Sequence, residues 1–335
     1  MTRSEVARKV AIGTAIGAFC LWLALRKVEL AEVGDALARF DHFYLLVAVG
    51  LSLLIQVFRA WRWKIELSPL VDLRFALVWK VVAVAYMMIN VLPFRLGEPV
   101  RPVLMSWKSG LPISAIVGNW VFEKMLDSAA LVLFIHITLV VADLPPWAHK
   151  ASTFSLATFL TLLGLVVGFW LRGEQFYDRT LGRVLPEGPG AKLRGVLQSA
   201  REGLQILPDR RLVAVTFVVT LVLWFIPILS SYVLILGFGF DVPFAAAFVI
   251  FVCIGLGTAL PNPPGMVGVF QIASVVALGL FGVERADAVA YGIILNAVQF
   301  VTLVAQGMVA LPFLNVDLGD LTREAVHSGG DEAEA

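Results

Sequence analysis

The sequence predicts an all-α polytopic membrane protein: a transmembrane helical bundle of about six full spans plus two re-entrant helical hairpins. Three observations carry that expectation. The chain is 59% hydrophobic and only 15% charged, with a mean hydropathy of +0.86, against roughly 45–50% and about 25% in soluble domains. Its apolar residues come in runs of roughly twenty, the length a bilayer demands, rather than at amphipathic spacing. Its basic residues concentrate on one side of successive runs.

In chain order the runs are Val10 to Leu25, Phe43 to Phe58, Phe75 to Val91, Ile113 to Val141, Thr153 to Leu171, Leu212 to Gly237, Pro243 to Leu260, Met266 to Val283 and Ala288 to Leu314. Arg3, Arg8 and Lys9 precede the first run, and no small-residue cleavage site closes it. It reads as a retained signal anchor, with its Gly13-x-x-x-Gly17 pair open to close helix approach. Between the first two runs, Leu30, Val33, Leu37 and Phe40 recur at helical spacing opposite Glu29, Glu32, Asp35 and Arg39. That pattern predicts an interfacial helix. Leu193 to Leu207 reads the same way on the opposite face.

Arg59, Arg62, Lys64 and Arg74 follow the second run, and the stretch from Arg172 to Arg211 holds eight basic residues against five acids. Both belong on the cytoplasmic side under the positive-inside rule. Arg95, Arg101 and Lys108 belong there too, which leaves the run between Arg74 and Arg95 no net crossing to make. It therefore reads as a re-entrant hairpin. A second hairpin, from the opposite face, spans Pro243 to Val283 around the break Leu260-Pro-Asn-Pro-Pro-Gly265. The break shares the frame L-P-x-x-x-G with Leu92-Pro-Phe-Arg-Leu-Gly97, half a chain away, as an inverted repeat would. Residues 1–316 form one transmembrane domain, 317–335 a solvated, disordered cytoplasmic tail, and both termini are expected in the cytoplasm.

Charge inside these segments points to function. Around Asn90 to Arg101, prolines forbid continuous helix while Arg95, Glu98 and Arg101 cluster. Two readings stand: a polar cavity whose guanidiniums grip a phosphate, with Glu98 orienting one of them, or an interfacial loop on lipid headgroups. In the fourth run Asn119, Glu123 and Asp127 recur at i, i+4 and i+8, with Lys124 alongside. Each charge costs roughly 2.5–3.5 kcal/mol at a helix centre, so they must be paired or hydrated. Arg95 and Arg101 are the natural partners, in a structural ion-pair knot or a substrate or proton path. Asn296, Gln299 and Gln306 share a face within about 80°, suited either to interhelical hydrogen bonds or to lining a cavity. Pro261, Pro263 and Pro264 free carbonyls, and a helix starting after Gly265 aims its positive end into the membrane.

Other classes find no support. Net charge is +1, so no nucleic-acid footprint exists; Cys20 and Cys253 lie in apolar runs; and His42, His136, His149 and His327 lack metal spacing. There is no P-loop, G-x-G-x-x-G or D-x-D, and no Ser/His/Asp arrangement, so no cofactor or metal is called for.

Three segments, LPFRLGEPVR at 92–101, FEKMLDSAAL at 122–131 and LPNPPGMVGVFQ at 260–271, together resemble the lysylphosphatidylglycerol synthase transmembrane-region family, also called flippase-like. The resemblance implies translocation of a lipid between leaflets, either an anionic or aminoacylated phospholipid or a polyprenyl-phosphate-linked sugar. It places substrate-binding candidates at Arg95, Glu98, Arg101, Glu123 and Asp127, to which the polar residues Asn262, Gln271, Asn296 and Gln299 are added. The structural breaks are Pro93, Gly97, Pro261, Pro263, Pro264 and Gly265. The chain departs from the bifunctional members in two ways. After Leu314 only a short tail remains, so no aminoacyl-transferase domain and no lysylphosphatidylglycerol synthesis are expected. Lys124 also stands where an arginine is usual in relatives, which keeps the charge and loses the fork. The expected partners are membrane lipids and a separate lipid-modifying enzyme or glycosyltransferase, in the cytoplasmic membrane. The alternatives are a membrane-embedded transferase or hydrolase acting on a lipid phosphate, and a scaffold for a lipid-modifying enzyme.

Overall fold

Where hydropathy is uninterrupted the chain forms helices. A computed structural model describes residues 15, 17–26, 28–92, 97–142, 146–179, 198–257 and 263–316. Among them the fold is all-helical with no strand: α1 (17–25), α2 (Leu30–Arg39), α3 (His42–Leu67), α4 (Phe75–Val91), α5 (Val100–Ser109), α6 (Ile113–Val141), α7 (Pro146–Arg179), α8 (198–202), α9 (Arg210–Phe238), α10 (Ala245–Gly257), α11 (Val269–Gly279) and α12 (Arg285–Ala310). Pro93, Arg95, Pro261, Asn262, residues 10–14 and 16 of the first run, residues 193–197 and the tail lie outside the described residues.

Among the described residues five segments, in α3, α6, α7, α9 and α12, are long and apolar enough to cross a membrane. At about 1.5 Å per residue each exceeds the ~30 Å hydrocarbon layer. Helices α4, α10 and α11, at 17, 13 and 11 residues, fall short of it. Two caps fix where spans begin: Asp41 accepts the Phe43 N–H at 2.9 Å, and Asp209 accepts those of Arg211 and Leu212 at 2.9 and 3.0 Å.

Two boundaries differ from the sequence reading. The second span continues helical to Leu67, well past Phe58, because Arg62 and Glu66 are buried in ion pairs instead of marking the water interface. The run Phe75 to Val91 is one uninterrupted helix, so the first hairpin is α4 plus α5, with a turn at 97–99 leading into α5. Arg101, assigned to the inner face by charge bias, is 5% exposed. Of the expected helix at Leu193 to Leu207, residues 198–202 are helical and 203–208 form turns.

The second hairpin is α10 packed on α11 around the 263–268 turn. Gly17 of α1 meets that turn, where a Cβ would lie 2.7 Å from the Pro263 Cβ. Arg285 ties the other end of α1 to α12 by donating to the carbonyls of Leu23 and Ala24.

Packing has internal symmetry. Exchanging α3 with α9, the α4/α5 hairpin with α10/α11, and α6 with α12 maps the contact of α4 on α12 onto that of α10 on α6. It likewise maps α3 on α4 onto α9 on α10, and α5 on α6 onto α11 on α12. The exchanged pair α3 and α9 runs antiparallel. The Asp41 N–H donates to the Gly237 carbonyl at 2.9 Å, joining the start of α3 to the end of α9. A two-fold relating antiparallel helices is the arrangement of an inverted repeat.

The hairpin geometry sets an expected topology. Reporters fused at residues 68 and 110 should read cytoplasmic and one at 148 external in a cell-based protease or alkaline-phosphatase assay. An external signal at 110 would remove the first hairpin.

Candidate functional site

Helix α3 carries Arg59, Arg62 and Glu66 at i, i+3 and i+7, on the same side of the helix, and α6 carries Asn119, Glu123 and Asp127 on one stripe. Where these helices approach, their charges interlock. Arg62 reaches Glu123 at 2.5 Å, Asp127 at 2.5 Å and Glu66 at 3.5 Å. Arg101 on α5 forks onto Glu123, with its two terminal nitrogens 2.8 and 2.6 Å from the two carboxylate oxygens. Arg62 is 2% exposed and Glu66 and Glu123 are each 1% exposed.

Neutral partners hold the frame. The Arg101 guanidinium lies 3.9 Å from the Trp63 ring centroid, and the Trp63 indole N–H donates to Asn119, which donates to the Glu66 carbonyl, both at 3.1 Å. From α9, the Trp224 indole N–H donates to Asp127 at 2.8 Å and the Thr220 hydroxyl accepts from Arg62 at 3.3 Å. Four helices are thereby fastened at one point in an otherwise apolar interior, as buried charges require.

Beside this knot lies a cavity of about 360 Å3, within the size range of small-molecule sites. Both hairpins wall it: Tyr86, Asn90, Glu98 and Arg101 from the first, Gly255, Pro263, Met266 and Phe270 from the second. Arg59, Arg62, Lys124 and Asp127 add charge, and α9 presents Trp224 and Pro227. At Gly265 and Met266 the backbone is left-handed, with φ of 64° and 54°. A non-glycine residue held there marks a segment fixed by its surroundings.

The structure gathers Glu98, Arg101, Asp127, Gln299 and Pro263 around one cavity, with Glu123 directly behind it. Gln271 and Asn296 do other work. Gln271 accepts the Gly268 N–H at 2.7 Å, capping α11, and Asn296 donates to the Gly265 carbonyl at 2.8 Å. Both satisfy backbone groups that the broken helix leaves open. Gln306 donates to the Thr302 carbonyl on its own helix. Pro264 and Gly265 lie in a 3-10 turn, and Gly97 packs on the last turn of α4.

Sequence reasoning paired Arg101 with the α6 stripe and missed the hub, Arg62, together with Glu66 and Trp224. The overlooked signal was the i, i+3, i+7 spacing of Arg59, Arg62 and Glu66 at the end of an apolar run, whose two arginines are opposite in sign to the acids of the α6 stripe.

Long apolar helices around a charged cavity, walled by two broken-helix hairpins, define a polytopic integral membrane protein with an internal polar site. The chain matches the lysylphosphatidylglycerol synthase TM region over residues 10–307, and it belongs to that family. Over 334 residues it is 22% identical to a UPF0104 membrane protein of Methanothermobacter thermautotrophicus, covering 93% of this chain and 97% of the relative. A UPF0104 membrane protein of Methanocaldococcus jannaschii is 24% identical over 225 residues, 66% of this chain and 91% of the relative. Membership in this family implies a lipid-related function in a membrane.

Proposed function

We propose that this protein is a carrier that moves a lipid with an anionic headgroup between leaflets. One observation supports it above the rest: the charged cavity is walled by both hairpins, the elements that an inverted repeat relates. In secondary transporters such broken helices meet near the midplane and hold the transported group. In the same reading both termini face the cytoplasm of the cell membrane, as the charge bias asks.

Catalysis on a lipid phosphate is the weaker reading. Glu123 is 1% exposed and gripped by two arginines, and Asp127 is held by Arg62 and Trp224. Neither has the unencumbered access to substrate that a general base needs. Lipids incubated with the purified protein are therefore expected to return chemically unchanged.

The direct test reconstitutes the protein into vesicles with a fluorescent phosphatidylglycerol, then adds an impermeant reductant. The protected inner-leaflet half of the signal should be lost on a timescale set by protein content. Loss no faster than in protein-free vesicles, for phosphatidylglycerol and for a polyprenyl phosphate alike, would end the carrier reading.

A further inference from the structure

We propose that Arg59 and Lys124 form a phosphate clamp, which takes the phosphate of a lipid headgroup while Arg62 and Arg101 serve the frame. This rests on the carrier reading of the cavity.

Among the described residues four cationic side chains line the cavity, and they divide by what already holds them. Arg62 is taken by three carboxylates and Arg101 by the fork onto Glu123. Arg59 and Lys124 take part in no ion pair among the described residues. Arg59 is positioned without being neutralised: one terminal N–H donates to Gln56 at 2.9 Å, and its carbon lies 3.9 Å from the Tyr86 ring centroid. Stacking fixes the plane of the guanidinium and leaves its other edge N–H groups for a ligand. The Lys124 ammonium lies 5.4 Å from the Trp120 ring centroid, with no hydrogen-bond acceptor among the described residues.

The two cations stand on different helices, α3 and α6, and line the same cavity beside the knot: Arg59 lies one helical turn before Arg62, and Lys124 directly follows Glu123. A fork on one side and a compact ammonium on the other suit a tetrahedral anion, whose several oxygens accept from both at once. Within a bilayer the anion of that shape is a lipid phosphate. The apolar side chains of Leu223, Leu295 and Leu303 in the same wall suit the carbon atoms next to it.

The test is equilibrium binding to the full chain in a maltoside detergent, which carries no phosphate. Dioctanoyl phosphatidylglycerol is expected to bind, with affinity that falls as salt rises. Arg59→Gln and Lys124→Gln should each weaken it about tenfold or more, the size of a lost charge-assisted hydrogen bond. Lys108→Gln, outside the cavity, should bind as the parent does. Melting temperatures near the parent's would show that the variants fold, because neither residue belongs to the knot. Neutral dioctanoylglycerol should bind at least tenfold more weakly. Parent-like affinity in both clamp variants, or equal affinity for the neutral lipid, overturns the clamp. Inorganic phosphate binding as tightly as the lipid would assign the site to a free anion and overturn the lipid headgroup. The two claims also separate. Clamp-dependent binding without transport by the parent protein sinks the carrier and leaves the clamp, whereas unimpaired transport by both variants sinks the clamp and leaves the carrier.

Discussion

Arg62→Met is expected to destabilise the protein by about 3–5 kcal/mol, the cost of leaving buried charges without their partner. Arg62 touches three carboxylates, and Glu66 has no other ion pair among the described residues. Glu123 keeps Arg101, so the loss falls chiefly on Glu66 and Asp127. Both oxygens of Glu66 are buried with no hydrogen-bond donor, even with Arg62 in place. Methionine retains the apolar bulk of the arginine stem, so the effect reports charge more than cavity. The companion variant is Arg62→Met with Glu66→Gln and Asp127→Asn, which removes the orphaned charges together with their partner. It should recover most of the lost stability, since replacing all members of a buried charge group is far cheaper than removing one. Thermal unfolding followed by size-exclusion chromatography in detergent reads both. A single variant as stable as the parent would show that Arg62 is not the hub.

The fold was legible wherever hydropathy alone decides. The run Ile113 to Val141 coincides with α6, because nothing polar interrupts its ends. The α6 stripe was legible too, since i, i+4, i+8 spacing forces Asn119, Glu123 and Asp127 onto one face and their cost in lipid demands partners. One partner, Arg101, could be named because the prolines around it break the helix. Arg62 could not, because a guanidinium at the end of an apolar run looks the same whether it meets water or a carboxylate from another helix. Only the packing of α3 against α6 separates those cases, and that is a tertiary fact. Gln271 and Asn296 show a similar ambiguity. A polar side chain on an apolar helix serves a cavity or a bare backbone equally well, and here the turn at 263–268 had unsatisfied groups closer at hand.

Gly97→Ala is expected to collapse transport at least tenfold and to cost about 1–3 kcal/mol or more, the range for forcing atoms into a packed site. The shared L-P-x-x-x-G frame singles out this glycine, and the structure gives the reason. A Cβ there would lie 2.3 Å from the Met88 carbonyl carbon and 2.4 Å from the Ile89 nitrogen. These are backbone atoms of α4, so no rotamer change relieves the contact, and the 97–99 turn must move away from the helix. Glu98 lines the cavity one residue on, and Arg101 one turn on. Displacing that turn therefore pulls Arg101 from Glu123 and opens the wall between the two hairpins. The contrast is Gly164→Ala in α7, where nothing lies within 4 Å of the added carbon. Alanine is also the better helix former there, so stability should hold or rise slightly. Vesicle transport and thermal unfolding measured on both variants make the comparison, and a Gly97→Ala protein that transports and melts like the parent would mean that α4 and the turn are not in contact.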